Sequence, residues 1–134
     1  MKILIVEDDS ISRMVLEKQL SFYGEVDVAV NGRKALDAVQ MQLEQGAPYN
    51  LICLDIMMPE LAGQEALRKI RAAEKNSGMA EFERAQIIMT TALSESKDIL
   101  SSFRDECDGY LVKPIKKQDI KKLFDVLEIE PPDN

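Results

Sequence analysis

Short apolar blocks alternate along this chain with longer stretches in which apolar positions recur every three or four residues. The blocks at 3–6, 26–30, 51–58, 86–92 and 109–112 have the length and content of strands. Between them, Ile11, Met14, Val15 and Leu20 mark a first helix over 11–23, with Gly24 as its C-terminal cap. After the turn Asn31-Gly32, Ala35, Leu36, Ala38, Val39 and Leu43 give a second helix an apolar face that ends near Gly46-Ala47-Pro48. Ala66, Leu67 and Ile70 stripe a third helix over 63–73. A fourth, capped by Ser94 or Ser96 and reaching about Arg104, turns Ile99, Leu100 and Phe103 inward. Ile120, Leu123, Phe124 and Leu127 stripe the last, which Pro131-Pro132 stops. Residues 74–86 exceed the usual few between helix and strand, which predicts either an extended, fraying helix or an insertion with contacts of its own.

Strand and helix alternating five times require right-handed crossovers and a parallel sheet covered on both faces. The expected fold is therefore α/β, a flavodoxin-like doubly wound sheet of five parallel strands in the order 2-1-3-4-5, with five helices. Residues 1–129 form the domain and 130–134 a short C-terminal tail. In such sheets ligands bind beyond the carboxyl ends of the strands, between strands one and three where the order reverses.

That edge is where the chemically unusual residues fall. The block Leu51-Ile52-Cys53-Leu54-Asp55-Ile56-Met57-Met58-Pro59 is apolar except for one carboxylate. Burying an ionised acid costs several kcal/mol unless a cation or donor set accompanies it, so Asp55 needs a partner or a task. Glu7 and Asp8 end strand one, Thr91 ends strand four and Lys113 ends strand five, which brings all of them to Asp55. Asp9 or Ser10 is explained as a helix N-cap; Glu7 and Asp8 are not. Crowded carboxylates without imidazole or thiolate suit a hard cation such as Mg²⁺, which shares its site readily with phosphate. With that charge screened, Asp55 can act as an oxygen nucleophile toward a phosphoryl group, while Thr91 and Lys113 bind its oxygens.

Composition narrows the setting. The 134 residues, 46% hydrophobic and 31% charged, make one domain with no room for a second. A net charge of −7 opposes a direct grip on nucleic acid or an anionic membrane. No segment approaches the roughly 20 apolar residues of a spanning helix, and a cytoplasmic setting is expected. Histidine is absent, and Cys53 and Cys107 form no CxxC pair, so a zinc site is not expected and both cysteines read as small buried hydrophobes.

Taken together, Val6-Glu7-Asp8-Asp9, Leu54-Asp55-Ile56-Met57-Met58-Pro59 with Gly63, Thr91-Ala92, and Tyr110 before Lys113-Pro114 resemble the response-regulator receiver domain of two-component signalling. The resemblance covers essentially the whole chain. It implies that Asp55 is the phosphoacceptor, and that Asp8, Asp55, the Met57 backbone carbonyl and, mainly through water, Glu7 hold Mg²⁺. It further implies that Thr91, the Ala92 backbone N–H and Lys113 bind the phosphoryl oxygens, and that Pro114 follows a cis peptide. Thr91 and Tyr110 would form a switch, altering the surface of the fourth helix, fifth strand and last helix. The phosphodonor would be a sensor histidine kinase or a histidine phosphotransfer protein, meeting the first helix and the loops around Asp55. The output partner is not named by the sequence.

With the chain ending at Asn134, the expected protein is a stand-alone, chemotaxis-regulator-like switch in a phosphorelay. Lys116, Lys117, Lys121, Lys122 and Asp119 on the last helix could support a symmetric homodimer, although a solvated face is the simpler reading. Two other classes remain: a Mg²⁺-dependent aspartyl-nucleophile phosphatase, which would want a second acid where Met57 stands, and a degenerate receiver that binds without phosphorylation. Apolar Met57 and Leu93, where polar groups could position a hydrolytic water, predict slow autodephosphorylation.

Overall fold

The computed structural model describes residues 1–58, 63–92 and 106–132. Strands β1 (Lys2–Val6), β2 (Glu25–Ala29), β3 (Leu51–Asp55), β4 (Gln86–Ala92) and β5 (Gly109–Lys113) form one sheet. All four neighbouring pairs are parallel, in the order β2-β1-β3-β4-β5 that the alternation predicted. The described helices are α1 (Ser10–Leu20), α2 (Gly32–Glu44), α3 (Gly63–Asn76) and α4 (Lys117–Val126). The helix expected over 94–104, with Ile99, Leu100 and Phe103, lies outside the described residues.

Successive side chains of a strand point to opposite faces, so a strand apolar throughout builds two cores. On one side Leu4, Val6, Ile52 and Leu54 pack with Val39, Leu67 and Ile70 of α2 and α3. On the other, Ile3, Ile5, Leu51 and Cys53 pack with Leu16 and Leu20 of α1 and Ile120 and Phe124 of α4. All five residues of β3 are buried, Asp55 included. Cys53 is enclosed and Cys107 half-buried, both as free thiols.

Several local expectations need correction. α1 buries Leu16 and Leu20, whereas Ile11 and Met14 are largely exposed and Val15 is also outside. The 16–20 pair at i, i+4 suffices for the narrow contact with the sheet, and the other apolar residues lie on a face that nothing in the described chain covers. The helix stops at Leu20, and its C-cap is Ser21 in the right-handed region, not Gly24. A Cβ on Gly24 would lie 2.3 Å from the Met1 carbonyl oxygen, so that glycine admits the chain terminus beside β2. Asn31 acts as N-cap of α2, its side chain accepting from the Lys34 N–H at 2.8 Å, so what read as a turn is also the helix start.

The long connection resolves both of its readings. α3 continues to Asn76, Gly78 reverses the chain at φ +85°, and a 3₁₀ turn follows at Glu81–Glu83. Arg71 pins the segment: its guanidinium donates to Glu74 Oε1 (2.8 Å), the Ala85 carbonyl (2.7 Å), the Glu106 carbonyl (2.8 Å) and Asp108 Oδ2 (3.2 Å). Glu74 Oε2 in turn accepts from the Ala85 N–H, and Asp108 Oδ2 from Ile87 N–H.

Candidate phosphoryl and metal site

Parallel pairing decides which acids meet. Val6 lies opposite Leu54, so Glu7 and Asp8 leave β1 beside Asp55 at the end of β3. Glu7 stays anchored, its N–H donating to the Ala29 carbonyl at 3.0 Å and its Oε2 accepting from Asp9 N–H at 3.1 Å. Asp9 caps α1, accepting from Ser12 N–H at 2.8 Å, which turns the chain so that Asp8 faces solvent. Carboxylate oxygens of Glu7, Asp8 and Asp55 all lie within 4.8 Å of one another.

Lys113 completes the cluster from two strands away. It ends β5 opposite Ala92, and its extended stem crosses the end of β4 to bring Nζ 3.1 Å from Asp55 Oδ2 and 2.7 Å from Glu7 Oε1. Only the bond to Asp55 has hydrogen-bonding alignment; Glu7 Oε1 makes its ion pair yet remains without a hydrogen-bond donor. Burial, reinforced by the neighbouring Asp55, raises the Glu7 carboxyl above its usual range, with Lys113 opposing. Burial alone would lower Lys113, but Glu7 and Asp55 outweigh it and hold the ammonium protonated. Three acids against one lysine leave a negative excess that reaches solvent at Asp8.

That donor set fits Mg²⁺. It supplies only oxygens, from two loops, around a buried Glu7 carboxylate whose one cationic neighbour, Lys113, is shared with Asp55.

Asp55 itself is positioned by backbone. Its Oδ1 accepts from the Met57 N–H at 3.1 Å. A Cβ on Gly63 would lie 2.3 Å from the Asp55 carbonyl oxygen and 2.6 Å from Ile56 Cα, so only glycine lets α3 start this close to the acid. The Gly63 N–H donates to the Ile56 carbonyl at 3.0 Å. Arg13 on α1 donates to the Glu7 carbonyl at 3.0 Å, steadying the acidic loop. No pattern in the sequence marked Arg13, whereas Gly63 at a helix start was a visible signal without a visible reason.

The remaining residues sit near the edge without joining the cluster. Thr91 is buried, its hydroxyl donating to the Ala92 carbonyl at 3.2 Å; Thr90 is equally buried with an unpartnered hydroxyl. Tyr110 and Met57 are each about half exposed. The Lys113–Pro114 peptide is cis.

A model of the response regulator receiver domain matches residues 3–125. The chain belongs to this family. Its relatives include hybrid signal transduction histidine kinase L of Dictyostelium discoideum, 37% identical over 92% of this chain but only 7% of that protein. The osmosensing histidine kinase SLN1 of Saccharomyces cerevisiae is 29% identical, with 10% of its length covered. A chemotaxis protein CheY homolog of Campylobacter jejuni is 32% identical over 95% of this chain and 92% of its own. Among solved structures, the receiver domain of Arabidopsis thaliana CKI1, complexed with Mg²⁺ and BeF₃⁻, aligns with TM-score 0.76 and 30% identity over 96% of this chain and 88% of that one. The receiver domain of Pseudomonas aeruginosa PA1611, with magnesium coordinated in its active-site cleft, aligns at 0.72 and 28% identity over 92% and 94%. The receiver domain thus belongs to two-component phosphorelay signalling, as a switch module with a CheY-like fold.

Proposed function

We propose that this receiver accepts a phosphoryl group on Asp55 from a phosphohistidine donor. The observation that carries the reading is a buried aspartate at the end of an apolar strand, met by Glu7, Asp8 and Lys113 in one cluster with excess negative charge. An Asp55 carboxylate oxygen attacks phosphorus, the P–O bond forms as the P–N bond breaks, and the electron pair leaves with the imidazole. Lys113, already bonded to Asp55, balances charge on the transferring group, and the Met57 N–H keeps the other carboxylate oxygen oriented. Thr91 and the Ala92 N–H receive the phosphoryl oxygens. Asp8, Asp55, the Met57 carbonyl and, through water, Glu7 hold Mg²⁺, which when bound screens the acids and polarises the phosphoryl oxygens.

The exposed apolar residues Ile11, Met14 and Val15 on α1 offer the donor, a histidine kinase or phosphotransfer protein, a contact beside the acids. Thr91 and Tyr110 relay occupancy of the site to the β5 surface: the threonine hydroxyl gives up the Ala92 carbonyl for a phosphoryl oxygen, and the outward tyrosine turns inward. Apolar Met57 cannot position a hydrolytic water, so the acyl phosphate is long-lived.

Intact-protein mass after incubation with acetyl phosphate and Mg²⁺ tests the chemistry. A single phosphoryl adduct, lost in Asp55→Asn and on chelation, is expected. No adduct under any condition would leave a phosphorylation-independent binding module, and sustained release of phosphate would point to a phosphatase.

A further inference from the structure

Far from the acids, the 79–85 turn displays Phe82 with 90% of its surface exposed, more than any other large hydrophobic residue among those described. Its backbone is held rigid. Glu83 accepts from Ala80 N–H at 3.0 Å, and the Arg71 and Glu74 bonds fix Ala85 at the other end. Glu81 and Glu83 flank the aromatic, so the turn is an apolar knob between two acids. A rigid side chain with few torsions loses little entropy on docking, which makes such a knob suited to binding.

The chemistry that would receive it exists elsewhere on this chain. A groove of about 650 Å³ runs between α1 and α4, floored by Phe22, Tyr23, Ile120 and Ile129. Phe22 packs edge-on to Tyr23 at 5.5 Å, and Tyr23 to Phe124 at 4.7 Å, leaving the outer Phe22 ring, 64% exposed, open for one more aromatic. Lys18 on the α1 wall and Lys117 on the α4 wall have no ion-pair partner among the described residues, while Lys121 is engaged with Asp125 at 3.8 Å and Glu130 stands at the lower end. α1 and α4 cover one face of the sheet and α3, which precedes the knob, the other, and no residue of the 79–85 turn lines the groove of its own chain.

We propose that this chain self-associates by seating the Glu81-Phe82-Glu83 knob of one copy in the α1–α4 groove of another. Phe82 enters the aromatic floor, and its flanking acids meet Lys18 and Lys117 on opposite walls. A reciprocal pair closes as a twofold dimer. The contact uses neither Asp55 nor the acidic cluster, so it stands apart from the phosphoryl chemistry.

Sedimentation velocity of the full chain, from micromolar to near-millimolar concentration and without Mg²⁺ or phosphodonor, tests this. Concentration-dependent association that weakens with added salt is expected. Phe82→Asp, at a fully solvated position, should weaken it at least about tenfold. Lys18→Glu and Glu81→Lys should each weaken it about threefold, and the double variant should recover most of the loss, because each knob again meets an opposite charge. A chain that stays monomeric throughout overturns the proposal. So does association untouched by Phe82→Asp, and if Phe22→Asp then abolishes it, the groove holds a different part of the second copy.

Discussion

Two clusters of buried charge lie at opposite ends of the same sheet, and they differ in how their charges are matched. Around Arg71, two acids have donors for their charge: Glu74 bonds the guanidinium and the Ala85 N–H, Asp108 the guanidinium and the Ile87 N–H. Around Asp55, three acids face one lysine, and Glu7 Oε1 lacks a hydrogen bond in a wholly buried residue. A satisfied network rigidifies, here tying α3 to β4 and to the chain entering β5. An unbalanced one leaves carboxylates repelling one another, a cost that a bound cation would offset. Both ends lie within the part of the chain, residues 3–125, that matches the receiver family.

Breaking the balanced end should have the largest effect on folding. Arg71→Met leaves Glu74 buried without its cation, and a loss of about 3–5 kcal/mol is expected in urea unfolding. Adding Glu74→Leu should return part of it, because the stranded Glu74 charge is gone while Asp108 still lacks the guanidinium and the Ala85 N–H its acceptor; a double variant as unstable as the single would contradict the account. Next comes Gly63→Ala, whose methyl meets the backbone of Asp55 and Ile56. Overpacking of this kind should cost about 1–3 kcal/mol and also slow adduct formation by acetyl phosphate, which a purely structural glycine would leave alone.

Between the two ends, Cys53 separates burial from charge matching. Enclosure on β3 pushes its thiol up to about 12. The unfolded chain then gives up this proton near the ordinary value of 9.0 while the folded chain keeps it, so stability falls as pH rises. The slope from this residue is about 1.4 kcal/mol per pH unit above the ordinary value. Cys53→Ala should show a shallower alkaline decline in unfolding midpoints; identical slopes would mean the thiol is reached by water.

The smallest effect belongs to the unbalanced end. Glu7→Gln removes one repelling charge and should raise metal-free stability by up to about 1 kcal/mol while weakening Mg²⁺-dependent adduct formation. Its folded carboxyl is raised above 4.5, so ionising it costs the folded state. The stability its protonated form contributes is present below that value and lost as pH rises through the raised one. The advantage of the variant should therefore grow from acid toward neutral pH. A variant less stable than the parent at pH 7 without metal would show the Glu7–Lys113 pair to be a structural bridge.

Periodicity and the order of its exceptions were legible in the chain alone. An apolar strand pattern interrupted only at its carboxyl end determines both the parallel sheet and the edge where Glu7, Asp8, Asp55 and Lys113 meet, because β1 and β3 must pair to bury both faces. Everything that depended on which surface lies opposite was decided only by tertiary structure. Ile11, Met14 and Val15 have helical spacing whether or not anything covers them, and packing left them outside. Gly24 and Gly63 look alike as punctuation, yet each is required by a backbone passing within 2.3 Å of the absent Cβ. Arg71 is one arginine among many on paper. It becomes a clamp because α3 runs on to Asn76 and brings its guanidinium within reach of carbonyls 14 and 35 residues away, a conjunction that no local pattern encodes.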